Sequence, residues 1–237
     1  MISPERVRLN DLTPLPPLLK ERGEGGEVLN LTYTMEVREA GVVILAAGRS
    51  VRMKELKPFL RYDDHTLFIE KILSVYIGWG CREIVVVTNA KAFQRIKQMI
   101  TVPSAVTMIV NNHMEFERFY SVKLGLRAIH KSSFCFLQNV DNPFIDAQIL
   151  DLIYENRSDE KYVSPVFKNK GGHPVLIHRE NINTIREWAE DSANLKEVLT
   201  TMKCLKVEMP DDRVLININS KEQYQKIFLY EISRINK

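Results

Sequence analysis

"GVVILAAGRSVRMKELKPFL", residues 41–60, carries an apolar strand into a small-residue turn and then into a cluster of positive charge. Val42, Val43, Ile44 and Leu45 are apolar at every position, the pattern of a strand buried on both faces of a parallel sheet. Ala46, Ala47 and Gly48 then remove bulk where the chain must turn. Backbone N–H groups in such a turn can approach a phosphate or a base edge closely. Arg49, Arg52, Lys54 and Lys57 follow at once. A triphosphate carries about four negative charges, so its loop needs two or more basic side chains. The stretch has neither G-x-G-x-x-G nor G-x-x-x-x-G-K-[ST] spacing. A solvated basic loop is the competing reading, and the strand end just before the cations argues against it.

Working outward, strand-like and helix-like segments alternate. Strands are expected over Val42–Ala46, Glu83–Thr88, Val106–Val110 and Phe134–Gln138. Helices are expected over Thr66–Ile77, Ala92–Ile100, Tyr120–Ile129, Ala147–Asn156 and Glu180–Trp188. This alternation predicts an α/β fold: a mainly parallel sheet with right-handed crossovers and helices on both faces. "KYVSPVFKNKGGHPVLIH" reads as a hairpin, a small antiparallel excursion of the kind that walls a substrate pocket. A further strand pair is expected at Cys204–Met209 and Val214–Ile218, followed by a helix from Lys221.

Ligands of such sheets sit outside the carboxyl ends of the strands. That rim collects the turn after the first strand, Asn89, Asn111 and Asn112, and Asp141 in "QNVDNPFI". A carboxylate there can hold a divalent cation that also bridges phosphate oxygens, and a turn-capping Asp ahead of Pro143 is the alternative. "GGHPVLI" places Gly171, Gly172 and His173 at a strand start, where His173 could donate a hydrogen bond to an acceptor or merely occupy a turn. Asn217 and Asn219 in "VLININS" could contact a ligand or cap the following helix, and Ser220 reads as that cap.

Composition narrows the classes. A chain of 237 residues, 45% hydrophobic and 27% charged, has room for one sizeable globular domain, with or without an appendage. Its net charge of +3 is too small to argue for nucleic acid. No apolar run approaches the ~18 residues of a membrane span, and no signal-peptide core is seen. Cys81, Cys135 and Cys204 are odd in number and far apart, which favours a reducing, cytoplasmic setting. Residues 1–38, with "LTPLPPLLKERGEGGE", have neither helical nor strand period and read as a disordered leader, leaving 39–237 as the domain.

Three stretches together carry a resemblance. "VVILAAGRSVRMKELKPFL" resembles the signature L-A-A-G-x-S-x-R-M-G-x-x-K of the molybdenum-cofactor cytidylyltransferase and guanylyltransferase type of nucleotidyltransferase. "VDNPFI" is similar to that family's D-[QN]-P-[FL] segment, and "GGHPVLI" to its G-H-P-V-L strand; "RFYSVKLGL" stands where members begin a Ser-rich helix. The resemblance spans about residue 40 to 230. It implies a Rossmann-like nucleotidyltransferase fold and transfer of a nucleoside monophosphate from an NTP, CTP or GTP, to a small phosphorylated acceptor, with release of pyrophosphate. It further implies that Leu45, Ala46, Ala47, Gly48 and Arg49 cradle the nucleotide, with Asn111 or Asn112 near base and ribose. Arg52 and Lys57 would grip the triphosphate, Asp141 would hold Mg2+, and Gly172 and His173 would face the acceptor.

Three positions depart from the pattern. Lys54 stands for the Gly after R-M, and Arg118 for the Gly of the helix start. Asn217-Ile218-Asn219-Ser220 replaces an Asp-x-Asp-Thr-like stretch, so the second metal ligand expected at Asn219 is a neutral amide. A non-catalytic nucleotide-binding relative that has lost that ligand is the alternative reading.

Overall fold

The computed structural model describes residues 37–50, 53 and 55–227. The expected leader lies outside these up to residue 36, as do Arg52 and Lys54. Among the described residues one eight-stranded sheet organises the chain, in the order β3-β2-β1-β4-β7-β5-β6, with β8 also paired to β5. The strands are β1 (Arg38–Ala46), β2 (Cys81–Thr88), β3 (Val106–Val110), β4 (Phe134–Asn139), β5 (Tyr162–Phe167), β6 (Lys170–Gly171), β7 (Val175–His178) and β8 (Cys204–Glu208). β1 pairs in parallel with both β2 and β4, and β3 extends the parallel set beyond β2. β7 is antiparallel to both β4 and β5, which is the expected excursion.

Continuous apolar strands need cover on both sides, and the helices supply it. α1 (Phe68–Gly78) and α4 (Ala147–Glu155) pack on the face that receives Val42, Ile44 and Ala46. α3 (Glu117–Arg127) and α5 (Arg179–Glu187) pack on the face that receives Val43 and Leu45. Successive side chains of a strand point to opposite faces, so β1 contributes to both cores. α2 (Ala90–Met99) begins at Asn89, whose side chain accepts from the Ala92 N–H. Ser220 caps residues 221–227 as expected, its hydroxyl accepting from Gln223 N.

One expected element is corrected. Val214–Ile218 is not a strand and does not pair with β8, which runs parallel to β5 instead. Asp212–Leu215 forms a 3-10 turn capped by the Asp211 carboxylate, with Val214 buried. Alternating apolar residues here resemble a strand, but the backbone is committed to tertiary partners. Val214 O accepts from His173 N and from the Asn142 amide, and Ile218 N donates to Asp141 O. A short helix, α6 (Leu195–Thr200), was not anticipated; only Val198 in it is buried.

β1 lies at the topological switch point, since the chain goes one way from it to β2 and β3 and the other way to β4. The crevice opens between the carboxyl ends of β1 and β4, where the fold predicts a ligand. α3 packs closely on the sheet beside the crevice: a Cβ at Gly125 would come within 3.0 Å of Val87 and closer still to Val43. Gly125→Ala should therefore cost about 1–3 kcal/mol in urea unfolding through overpacking, despite alanine's better helix propensity.

Candidate active site

The turn after β1 is held from three sides. Asn89 Nδ2 donates to Ala47 O at 3.0 Å, so the cap of α2 also braces the turn. Ser50 adopts φ 49°, and its hydroxyl accepts from Lys57 N at 3.1 Å. Lys57 then opens a 3-10 turn, Lys57–Phe59, whose Pro58 and Phe59 are buried. The Arg95 guanidinium lies 4.2 Å over the Phe59 ring. The loop thus delivers Lys57 to the crevice from a fixed base.

Lys57 Nζ donates to Asp141 Oδ2 and to Asn219 Oδ1, each at 2.7 Å. Both side chains of the ion pair are mostly buried, Lys57 at 17% and Asp141 at 10% exposure, so water screens the pair less than at the surface. Asp141 Oδ1 is buried and has no hydrogen-bond partner among the described residues. The loop that carries Asp141 is itself anchored. The buried Gln138 amide donates to Asn139 O and Asn142 O, and Tyr76 OH donates to Gln138 Oε1. Asn142 Nδ2 donates to Val214 O at 3.0 Å, tying the loop to the C-terminal segment. Removing one member of such a buried network leaves the others unsatisfied, so the carboxylate has little freedom to move.

The crevice is a cleft of about 1130 Å³. Leu45, Ala46, Ala47, Gly48 and Arg49 line one side of it. Lys57, Asp141, His173 and Asn219 line it as well. A Cβ at Gly48 would meet no atom of the described residues within 4 Å, and Gly48 is not among the residues with positive φ. The missing side chain there leaves open space in the cleft. Gly172 has another role: a Cβ would stand 2.5 Å from Val214 O, so it is a packing residue behind His173. Asn111 is buried and does not line the cleft; its amide donates to the Ser121 hydroxyl, which does. Asn112 is exposed and lies outside the cleft lining.

Arg118, Ser121 and Lys196 also line the cleft, and sequence reasoning did not assign them to the site. Arg118 had a signal, as a cation in place of a glycine. Lys196 had none, because it sits on the unanticipated α6. Arg118 lines the cleft, and no hydrogen bond or ion pair of its guanidinium is seen among the described residues. His173 Nδ1 is buried without a hydrogen-bond partner among the described residues. Burial, together with the nearby Arg118 charge, pushes the His173 imidazole down to about 4, against the opposing pull of Asp141. His173 is therefore neutral at physiological pH and can both donate and accept a hydrogen bond.

The MobA-like NTP transferase domain family matches residues 42–207. The chain belongs to that family. A Clostridium perfringens protein named "probable molybdenum cofactor guanylyltransferase" is 23% identical over 202 residues, covering 78% of this chain and 93% of that protein. A nucleotidyl transferase from Methanothermobacter shares the fold with a TM-score of 0.68 at 18% identity, covering 82% of this chain and 98% of the other. A Mycobacterium tuberculosis protein solved in complex with manganese superposes with a TM-score of 0.63 at 17% identity, covering 82% and 100%. This MobA-like chain is accordingly a nucleotidyltransferase with a mostly parallel sheet flanked by helices. Among its described residues no helix is long and apolar enough to cross a membrane.

The histidine offers a direct check of the site's electrostatics. Its folded pKa lies below its ordinary 6.5, so the unfolded chain binds more protons between about pH 4 and 6.5. The stability it contributes is present above pH 6.5 and falls as pH drops towards 4. A 15N-imidazole titration should give a His173 midpoint near 4. His173→Gln should flatten the loss of melting temperature over the same window.

Proposed function

We propose that this MobA-like nucleotidyltransferase moves a nucleoside monophosphate from an NTP, GTP foremost, to a small phosphorylated acceptor, with Mg2+ and release of pyrophosphate. The observation that carries this reading is the Lys57 ammonium held between Asp141 Oδ2 and Asn219 Oδ1 while Asp141 Oδ1 stays unpartnered. A cationic group already stands between two hard oxygen donors. Asp141 and Asn219 fit a Mg2+ ion on those grounds, since one carboxylate and an amide oxygen suffice when phosphates and water complete the shell. When bound, the ion would supply neutralisation of charge on the phosphates. GTP is favoured because the curated relatives bear guanylyltransferase names; CTP is the other candidate.

The chain's own residues divide the work by their place in the cleft. The turn Ala46–Ala47–Gly48 offers backbone N–H groups and open space to the nucleotide. Arg49 and Lys57 face the phosphates, with Arg52 of the same loop beyond the described residues. Charge develops on the leaving pyrophosphate, and cations fixed there beforehand lower the barrier without reorganising. On the other side, Arg118 and the neutral His173 meet the acceptor's phosphate, the one by charge and the other as hydrogen-bond donor. An acceptor phosphate oxygen attacks the α-phosphorus directly, the bond to the β-phosphate oxygen breaks, and no protein nucleophile takes part. Three free cysteines, Cys81, Cys135 and Cys204, favour a reducing cytoplasmic setting for the reaction.

Pyrophosphate release from the four NTPs, with Mg2+ and molybdopterin as acceptor, tests this reading. GTP should be the best donor. Asp141→Asn should cut the rate roughly 10²–10³-fold, the usual size for a pre-placed electrostatic group. Binding of GTP without any pyrophosphate release would favour the non-catalytic reading instead.

The binding half of the reading has its own test. Lys57→Met should raise the GTP Kd roughly tenfold or more, as expected when a charge-assisted phosphate contact is lost. Gly48→Val should weaken GTP binding while leaving urea stability within about 0.5 kcal/mol, because its side chain would fill only cleft space. Unchanged affinity in Gly48→Val would place the nucleotide elsewhere.

A further inference from the structure

Lys123 is a buried charge with no part in the reaction above. It projects from α3 with a side chain only 4% exposed. A buried ammonium is costly unless paired and hydrogen-bonded. Here Nζ donates to Asp191 Oδ1 at 2.5 Å and to the Trp188 carbonyl at 2.6 Å. It also lies 6.0 Å from the centroid of Phe119, a cleft residue on the same helix. Trp188 is where α5 ends, and its carbonyl belongs to the set that a helix terminus leaves without intrahelical partners. One ammonium therefore closes α5 and fixes Asp191 just beyond it.

The chain runs directly from Asp191 into the cleft. Ala193, Asn194, Leu195 and Lys196 all line it. The segment leads through α6 into β8, which pairs with β5, and β5 and β7 stand across β4 from β1; His173 and Ser164 line the same cleft. α3 contributes Arg118 and Ser121 to the same cleft. α6 buries Val198, and Trp188, Ala193, Leu195 and Leu199 pack partly buried against the same core, so the ammonium adds a polar tie to an apolar anchor.

We infer that Lys123 is a positioning residue: with Asp191 it latches the 188–200 segment against α3 and so sets the acceptor half of the cleft. This rests on the reading above in placing the nucleotide at the β1 turn and the acceptor on the β5/β7 side. The latch couples α3 and the 188–200 segment, so loosening it shifts Asn194 and Lys196 relative to Arg118 and Ser121, while Lys57, Asp141 and Gly48 lie on other segments.

Full-length wild type, Lys123→Met, Lys123→Arg, Asp191→Ala and the Lys123→Met/Asp191→Ala double variant provide the test. Amide hydrogen exchange over 189–200, GTP binding by calorimetry, and steady-state kinetics with GTP, Mg2+ and molybdopterin are measured on each. In Lys123→Met and Asp191→Ala the segment should exchange faster and the molybdopterin KM should rise roughly tenfold, with GTP Kd unchanged within about twofold, as fits misplacement of one half of the site. Lys123→Arg should recover most of the molybdopterin KM, and the double variant should be no worse than Lys123→Met alone, because both changes break one interaction. Unaltered exchange over 189–200 in both single variants would overturn the latch. A GTP Kd weakened in step with the molybdopterin KM would overturn it too, as the mark of general destabilisation. Wild type that binds GTP but transfers nothing to molybdopterin would refute the acceptor reading alone, and the exchange comparison would then decide the latch by itself.

Discussion

One ammonium group joins three distant parts of the chain: Lys57 reaches Asp141, 84 positions away, and Asn219, 162 positions away. The loop after β1, the rim of β4 and the C-terminal segment converge on it. Each arrives already braced, by Ser50 and the buried Phe59, by Gln138 and Asn142, and by Ile218 N on Asp141 O. A charge in this setting is held in place by geometry that the sheet pays for in ordered loops. Without the 212–219 segment, the Asp141 loop would lose Val214 O as the acceptor for Asn142, and the ammonium would lose half of its partners.

The sheet was legible because its parallel strands are continuous apolar runs, and such runs have one common use. β1, apolar and buried on both faces, takes the centre and pairs in parallel with both β2 and β4. The strand expected over Val214–Ile218 is absent for a physical reason. Val214, Ile216 and Ile218 alternate as strand residues do, yet their backbone groups serve His173, Asn142 and Asp141. No local pattern reports that kind of commitment. α6 escaped notice because six residues cannot display a helical period.

The site was legible in part, along the same line. Residues at the end of β1 and β4 could be placed on the rim because the fold puts strand ends there. Asn111 belonged to the rim too, yet its side chain is buried and holds Ser121, so the cleft receives a serine from α3 where the asparagine was expected. Gly172 and His173 are adjacent in sequence, but only His173 lines the cleft; Gly172 yields its volume to Val214. Lys123 could not be read as part of any site, since a lysine in mid-helix is usually solvated. Only tertiary structure shows it buried beneath Trp188 and Asp191.

The amide at Asn219 bears on the order of events in the proposed reaction. With a carboxylate at that position, the pair of acids would outweigh Lys57 by one negative charge. With Asn219, Lys57 and Asp141 balance, and a cation approaching alone finds a carboxylate that already has its counter-charge. A triphosphate changes the balance, because its several negative charges compete for the Lys57 ammonium at a distance where Coulomb attraction is still strong. In the proposed reaction Lys57 would then turn from Asp141 to phosphate, which would free Asp141 Oδ2 as an oxygen donor. The amide at Asn219 would thus keep Asp141 Oδ2 engaged by Lys57 until the nucleotide arrives, while Oδ1 stays without a partner among the described residues, a consequence of net charge rather than of any movement of the fold.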